Sequence, residues 1–528
     1  MEKRRYTAGL QTFSDFIENE YVYIDKTDLM WKMTQLSKYV FLSRPRRFGK
    51  TLLSYTLHSF FEGKRDLFKG LKVMELEKQW KSYPVIHLDL SMAKEEMDEN
   101  GLTSKLMLIL NDYAKIYGKE ENESTPGGLL RGIIKRAYEA TGSKVVVIVD
   151  EYDAPMLGVM HEEQTLTLFR KIMQEFFIPL KASDPMLQFC FITGITKFSQ
   201  LSIFSTLNNL TNISMHPDFA TICGITEEEI CTQLTDGIKC LAKRYETTDE
   251  EIHDLLKNKY DGYRFSEDKE AVFNPYSLMK AFLMERIENY WFESGTPTYL
   301  FKQMQFFNTD ITDLDHIEVP SPAFDRPSES MNDALPLLYQ SGYLTIKDYN
   351  KESQIYTLAI PNQEVRVGFS EGLLPIYAGM DAYRTQTGFA LKFWRALKQD
   401  DINQALEELK TFLYSPPYIM GFKDKLNDIN TKEGFYEYTL YLIFSMLNVY
   451  VHTQLRCAGG RMDVIVHMPH TTYVMELKMR GTAQEALKQI DEKNYALPFN
   501  TDGKKVVKVG IIFSTETKNI KEWKVEEL

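Results

Sequence analysis

The sequence predicts an α/β protein of several domains, with an open parallel sheet near the N-terminus and a second α/β domain near the C-terminus. Three stretches lead to this prediction: YVFLSRPRRFGKTLLSYTL at 39–57, KVVVIVDEYDAP at 144–155 and GGRMDVIVHMPHTTYVMELK at 459–478. The first has the pattern of a strand, a basic loop and a helix. The second resembles a buried strand that ends in acidic residues, and the third a strand hairpin.

Composition limits the class of protein. The chain has 528 residues, room for roughly three to four domains. Its net charge of −12 argues against a protein that coats nucleic acid through bulk charge, so any such contact should be a local patch. The five scattered cysteines form no CxxC pair, which favours reduced thiols and gives no zinc signal. No signal peptide and no apolar run of about 18 residues is present, so we expect a cytoplasmic protein without membrane contact.

The first stretch has the features of a phosphate site. A strand at 39–42 leads into a basic loop, and Lys50 and Thr51 then open a helix whose free N–H groups and positive dipole end suit an anion. Lysine reaches the terminal phosphates in such loops, and threonine holds Mg²⁺. The usual GxxxxGK[ST] spacing puts the first glycine at Arg44, which tolerates the extreme dihedrals of that turn less well. The residues predicted to bind ATP are Arg46, Arg47, Phe48, Gly49, Lys50 and Thr51.

A second signal follows about 100 residues after Lys50. Five apolar β-formers at 145–149 indicate a central strand, and Asp150 and Glu151 end it where open α/β sheets bind ligands. We expect Asp150 to hold magnesium and Glu151 to orient and polarise the attacking water, as in an ATPase. The structural alternative is a helix cap followed by a first-turn acid.

Further strands are expected at 83–91 and 186–198. At the end of the latter, Thr193 and Thr196 are candidates to sense the γ-phosphate. Ordinary capping of the strand end is the alternative reading of these two hydroxyls.

Four motifs in order, VYIDKT, SRPRRFGKT, VDEYDAP and TGITKFS, resemble the bacterial and archaeal AAA-ATPase-like proteins with a fused nuclease domain. The resemblance continues through YDGYRF, FNPYSL and SGTPTYL and so covers nearly the whole chain. In that family an arginine-rich loop commonly replaces the first glycine. The resemblance implies a P-loop NTPase (AAA-like) core, ATP with Mg²⁺, and a possible homo-oligomer through the ATPase module.

The middle of the chain is expected to be a helical lid at 224–305 and a winged-helix-like connector at 306–374. Thr226 with Glu229 forms the pattern of a capping box. Arg264 is the lid's candidate for a nucleotide contact, although the residues alone favour a structural salt bridge. Nearby acids argue against DNA binding by the connector, which we expect to pack on the ATPase core at 1–223.

A carboxylate site is expected in the C-terminal domain, at 375–528. Alternation along 473–478 puts Glu476 and Lys478 on one face of a strand, and in an antiparallel hairpin Asp463 can meet Glu476 across the strands. Two carboxylates suit Mg²⁺ or Mn²⁺, and a neighbouring lysine can position or deprotonate water. A charged surface hairpin is the alternative.

The pattern D…ExK resembles the PD-(D/E)xK nuclease superfamily, which implies a restriction-endonuclease-like fold. The same resemblance implicates Glu437 on a preceding helix, and Gln489 and Tyr495 in and after the following one.

Together these features predict an ATP-binding, ATP-hydrolysing protein with a metal-dependent DNA nuclease domain, and nucleic acid as its partner. Two alternatives stay open at this point. One is a nucleotide-dependent switch or scaffold whose nuclease fold only binds a partner, and the other is an RNA-directed nuclease in defence or toxicity.

Overall fold

The structure, a computed structural model, describes most of the chain. The described residues are 5–93, 98–160, 162–197, 209–268, 270–294, 300–301, 303–304, 307, 309, 314, 316–320, 323–324, 333–378, 389, 392–413, 440, 443, 450–457, 460–468, 470–499, 503–514, 516–517 and 519–528.

The chain divides into two compact units. The first comprises Met1–Thr309 and His316–Asn362, and the second comprises Asp310–Asp315 and Gln363–Leu528. The finer division into core, lid, connector and nuclease domain stays a prediction.

A five-stranded parallel sheet forms the centre of the first unit, in the order β2-β3-β4-β1-β5. Its strands are β1 Tyr39–Ser43, β2 Val85–Asp89, β3 Val145–Asp150, β4 Leu187–Gly194 and β5 Thr211–Asn212. Every residue of β3 is buried because the strand is covered on both faces, as the apolar run predicted. All strands point the same way, so their carboxyl ends share one edge of the sheet. The parallel α/β core is therefore confirmed.

Eight helices accompany this sheet within the described part of the first unit: α1 Phe13–Glu18, α2 Thr27–Leu36, α3 Lys50–Phe61, α4 Val73–Leu76, α5 Glu99–Tyr117, α6 Pro126–Thr141, α7 Ala154–Gly158 and α8 Glu163–Ala182. Asp98 caps α5 and Thr125 caps α6, each by accepting a backbone N–H of the first turn. The apolar faces of α5, α6 and α8 pack against the sheet in one core.

A smaller helical part follows in the same unit. It contains β6 Ile225–Thr226, α9 Glu227–Gln233, α10 Thr235–Tyr245, α11 Asp249–Tyr260, β7 Val272–Phe273 and α12 Pro275–Met284. The predicted capping box is present: Thr226 accepts the Glu229 N–H, and the Glu229 carboxylate accepts the Thr226 N–H. These helices have a core of their own.

The last part of the first unit is a three-stranded antiparallel sheet in the order β8-β10-β9, with one helix. Its elements are β8 Ile317–Pro320, α13 Leu335–Gln340, β9 Thr345–Asn350 and β10 Ile355–Ala359. The turn after α13 packs on the loop between β1 and α3. A Cβ on Gly342 would lie 2.7 Å from the Cβ of Pro45, so only glycine permits this approach.

The second unit has a five-stranded mixed sheet in the order β11-β12-β13-β14-β15. Its elements are α14 Gln363–Ala378, α15 Ile402–Leu413, β11 Tyr450–Cys457, β12 Gly460–His467, β13 Thr471–Lys478, α16 Ala483–Glu492, β14 Lys505–Ser514 and β15 Asn519–Glu527. Only β13 and β14 are parallel, and α16 makes the crossover between them. Glu437 lies outside the described residues. Within the described part of the chain, no helix has both the length and the apolar composition needed to span a bilayer.

Gly510 permits the close packing of α16 on this sheet. A Cβ at Gly510 would lie 2.4 Å from the Ala483 carbonyl oxygen and 3.0 Å from the Ala486 Cβ. We expect Gly510→Ala to lower the free energy of unfolding by about 1–3 kcal/mol through overpacking. Denaturant unfolding measures this, with the exposed residue Lys521 of β15 as a control: Lys521→Ala is expected to stay within about 0.5 kcal/mol of wild type. Unchanged stability of Gly510→Ala would contradict this packing.

Candidate functional site

The loop between β1 and α3 carries the first candidate site. Its left-handed residues are Arg47, with φ 70°, and Gly49, with φ 88°. Arg44, where strain was expected, is not among the positive-φ residues. The unusual backbone therefore lies at the end of the loop, directly before the helix.

The Arg44 side chain instead stabilises the loop through buried hydrogen bonds. Its fully buried guanidinium donates to the carbonyls of Ser43 (2.9 Å), Ser214 (2.7 Å) and Phe219 (2.9 Å). Its Cζ also lies 4.1 Å from the centroid of the Phe265 ring. Burial lowers the pKa of Arg44 to about 10. A glycine could make none of these side-chain contacts.

The Lys50 amine lies beneath the same loop. Its Nζ donates to the carbonyls of Arg44 (3.1 Å) and Pro45 (3.2 Å), and lies 3.9 Å from Glu151 Oε1. The residue is only 4% exposed, so this cation is held by loop dipoles and one carboxylate rather than by water. Such a group can exchange carbonyl partners for a phosphate without leaving the loop.

The acids at the end of β3 lie beside the helix start. Burial and the neighbouring Glu151 raise the pKa of Asp150 to about 6, although Lys50 and a hydrogen bond with Thr51 act in the opposite direction. The structure thus brings Lys50, Thr51, Asp150 and Glu151 together. Glu151 itself adopts φ 50°.

Asp89 is an acid at this edge that the sequence analysis did not single out. It pairs in register with Asp150, because β2 and β3 are parallel and end together. Its negative charge also raises the pKa of Asp150. The available signal was its place as the only acidic residue of the strand predicted at 83–91, near the carboxyl end.

The two candidate sensor hydroxyls are engaged with protein atoms. Thr193 donates to the Leu42 carbonyl at 2.7 Å, and Thr196 donates to Asp153 Oδ2 at 2.7 Å. Asp153 also accepts the Thr196 N–H, and burial raises its pKa. These bonds match the capping alternative, and a sensor role stays a prediction.

Arg264, the candidate of the helical lid for a nucleotide contact, donates to the Lys347 carbonyl on β9.

A cavity of about 570 Å³ is lined by Lys50, Thr51, Asp89 and Glu151. The end of the β1–α3 loop and the first turn of α3, from Arg46 to Leu53, also line it, together with the N-terminal segment 7–11 and residues from the start of α12. Arg47 closes one side, with its Cζ 3.7 Å from the centroid of the Tyr276 ring. The cavity therefore combines a basic end with largely apolar walls.

Asp150→Asn should stabilise the first unit in metal-free buffer. A folded-state pKa of about 6 against the ordinary 3.8 means that the native state binds more protons than the unfolded state between these values. Stability should therefore fall as pH rises from about 4 to 6, and the substitution should restore up to about 3 kcal/mol at pH 7. Chemical unfolding at several pH values measures this. Exposed Asp112→Asn serves as the control, and an Asp150→Asn protein that keeps the full pH slope would refute the assignment.

The second candidate site lies where β12 and β13 separate. Their last ladder pair is Val464 with Met475, so the next opposed residues are Asp463 and Glu476, on one face of the sheet. Instead of a backbone ladder bond, Asp463 Oδ2 accepts the Leu477 N–H at 2.8 Å. The hairpin geometry expected from the alternation is therefore present.

Gln489 on α16 connects the other groups of this site. Its Nε2 donates to Glu476 Oε1, and its Oε1 accepts from Lys478 Nζ at 2.6 Å. Glu476 is 3% exposed, whereas Lys478 is half-buried. The structure thus gathers Asp463, Glu476, Lys478 and Gln489, while Tyr495 packs in the core behind α16.

Comparisons with known proteins agree with this two-site layout. Residues 7–204 match the family described as predicted AAA-ATPase, and residues 431–523 match the PD-(D/E)XK nuclease superfamily. A protein of Azotobacter chroococcum mcd 1, described as an uncharacterized protein in the vnfD 5′ region, is 29% identical over 540 residues. The alignment covers 100% of this chain and 100% of that protein.

Two solved structures match this chain at 12% identity. The Walker-type ATPase of Pyrococcus abyssi gives a TM-score of 0.32 and covers 69% of this chain and 97% of its own. The ORC2 protein of Aeropyrum pernix gives 0.23 and covers 66% and 94%. By these family matches, the chain has an N-terminal region similar to the predicted AAA-ATPase family, followed by a C-terminal region similar to the PD-(D/E)XK nuclease superfamily.

Proposed function

We propose that this protein binds and hydrolyses ATP at the first site and that its C-terminal domain hydrolyses phosphodiester bonds, with DNA as the leading substrate. The proposal of nuclease activity rests mainly on one observation: Glu476, Lys478 and Gln489 lie together beside Asp463. The superfamily match over residues 431–523 supports the same reading.

The residues of both sites fit a divalent cation. Thr51 and Asp150 offer a hydroxyl and a carboxylate at the helix start, and Asp463 and Glu476 offer two carboxylates from opposed strands. Hard oxygen donors of this kind select Mg²⁺ or Mn²⁺. When bound, the ion supplies charge neutralisation and polarisation of a phosphoryl oxygen.

At the first site, the Lys50 amine is the cation available for the phosphates, and the α3 N-terminus adds its free N–H groups. Glu151 lines the cavity and is the carboxylate proposed to orient the attacking water. The apolar walls, which include Leu10, Ile225 and Met279, offer a surface to the nucleotide base.

At the second site, Lys478 is proposed to position or deprotonate the attacking water and to stabilise the negative charge that develops on the phosphate. Gln489 is a positioning residue, because its single amide orients both Glu476 and Lys478. The Leu477 N–H donates to Asp463 Oδ2 at 2.8 Å and so fixes the position of this carboxylate.

A cleavage assay on the full-length protein tests this function. Supercoiled DNA, linear DNA and a structured RNA are incubated with and without Mg²⁺, and with ATP, a non-hydrolysable analogue or no nucleotide. We expect Mg²⁺-dependent products from DNA, at a rate that changes with nucleotide. ATP hydrolysis without cleavage of DNA or RNA would instead favour a nucleotide switch whose nuclease fold binds a partner, and cleavage of RNA alone would change the substrate.

Light scattering with and without ATP tests the predicted homo-oligomer.

A further inference from the structure

Three potential metal ligands of different chemistry meet between α9 and α11, outside both sites described above. Glu227 and Cys231 lie four residues apart and so share one face of α9, while His253 approaches from α11. His253 Nε2 lies 3.1 Å from Glu227 Oε1 and 4.0 Å from Cys231 Sγ. We searched the described residues for groups of at least three His, Cys, Asp or Glu side chains whose ligand atoms all lie within 4.8 Å of one another. Glu227, Cys231 and His253 form such a group.

These distances are close to those expected around a four-coordinate ion. With metal–ligand bonds of about 2.0–2.3 Å at tetrahedral angles, neighbouring ligand atoms lie about 3.3–3.8 Å apart. The two measured separations lie on either side of that range, so small side-chain movements would bring all three atoms to bonding distance. The three side chains are also partly accessible to solvent, which leaves a path for an ion to enter.

The Glu227 carboxylate supplies a second, independent observation. Its Oε2 is buried and has no hydrogen-bond partner within the described part of the chain. Its Oε1 is shared by His253 and by Lys257 Nζ, which lies at 3.2 Å. The Lys257 side chain is 50% exposed, so its ammonium can move into water when a metal takes its place.

We propose that Glu227, Cys231 and His253 form a zinc-binding site with a solvent molecule as the fourth ligand. A thiolate and an imidazole favour Zn²⁺ over Mg²⁺, in contrast to the oxygen donors of the other two sites. On binding, the Cys231 thiol loses its proton to solvent and the sulfur bonds to the metal. The ion would connect α9 to α11. Its ligand Glu227 lies two residues after Ile225, which lines the cavity of the first site.

Cobalt spectroscopy and metal analysis of the full-length protein test this site. Protein stripped with chelator is loaded with Zn²⁺ or Co²⁺ alone and then desalted. We expect wild type to retain one more zinc per chain than Cys231→Ser. The cobalt form should show a thiolate-to-metal charge-transfer band that is lost in Cys231→Ser and in His253→Gln. Cobalt held only by carboxylates, as at Asp463 and Glu476, gives no such band, so the readout is specific for the thiolate.

Cys240→Ser is the matched control, since Cys240 lies on neighbouring α10 and its Sγ approaches Glu285 at 3.5 Å. It should keep both the extra zinc and the band. Equal zinc retention in wild type and Cys231→Ser, or a band that disappears with Cys240 but not with Cys231, would overturn the proposal. Thermal unfolding of the metal-free variants checks that each is folded, and the result does not depend on the ATPase or nuclease activity.

Discussion

Glu476→Ala is expected to reduce metal-dependent DNA cleavage by about a thousandfold or more. Glu476 on β13 is buried beside Gln489 of α16, and it is one of the two carboxylates of the proposed metal site. Removing it takes away both a ligand and the acceptor of the Gln489 amide. Metal polarisation supplies several kcal/mol of transition-state stabilisation, which corresponds to this loss of rate. Initial rates of plasmid cleavage in Mg²⁺ measure the effect.

Two further variants make this prediction specific. Gln489→Ala should slow cleavage by only about 10- to 100-fold, because the amide acts through Glu476 and Lys478 rather than on the ion. Glu492→Ala, on the same helix but 61% exposed, should cleave like wild type. Mg²⁺-dependent cleavage that persists at the wild-type rate in Glu476→Ala would refute the assignment of this site.

Lys50→Ala should weaken ATP binding by about tenfold to hundredfold, which is the usual range for losing a hydrogen bond to a charged group. The buried Lys50 amine lies beneath the loop, and the same substitution leaves the carbonyls of Arg44 and Pro45 without its N–H donors. It also removes the positive charge that opposes the raised pKa of Asp150. Titration with a fluorescent ATP analogue measures the dissociation constant.

The control must separate lost binding from lost folding. Lys50→Met keeps most of the side-chain volume without the charge, so it should lose ATP affinity while thermal unfolding reports a folded protein. Lys69→Ala removes a lysine that is 73% exposed and should bind ATP normally. Wild-type affinity in folded Lys50→Met would show that nucleotide binds without this amine.

The sequence predicted the local parts of both sites well. Apolar β-formers followed by a glycine, a lysine and a threonine gave β1, the loop and α3 with bounds close to those observed. The alternation at 473–478 placed Glu476 and Lys478 on one face, because side chains along a strand alternate with a period of two residues. The capping box at Thr226 followed from spacing alone, since both partners lie within one helical turn.

Other features depended on contacts between distant segments. Arg44 looked like an unfavourable substitute for glycine, yet its guanidinium bonds to carbonyls about 170 residues away, which spacing cannot show. Gln489 was implicated only through a family resemblance, and packing of α16 on the sheet explains how its amide reaches two charged groups. Scattered cysteines gave no zinc signal, although folding brings Cys231 near His253.

The sequence by itself determined which strands, turns and helix starts form, and which charged residues stand at their ends, because these depend on residues within a few positions of one another. The tertiary structure alone decided which of those charged groups meet. That outcome depends on strand order and helix packing, which combine interactions from the whole chain.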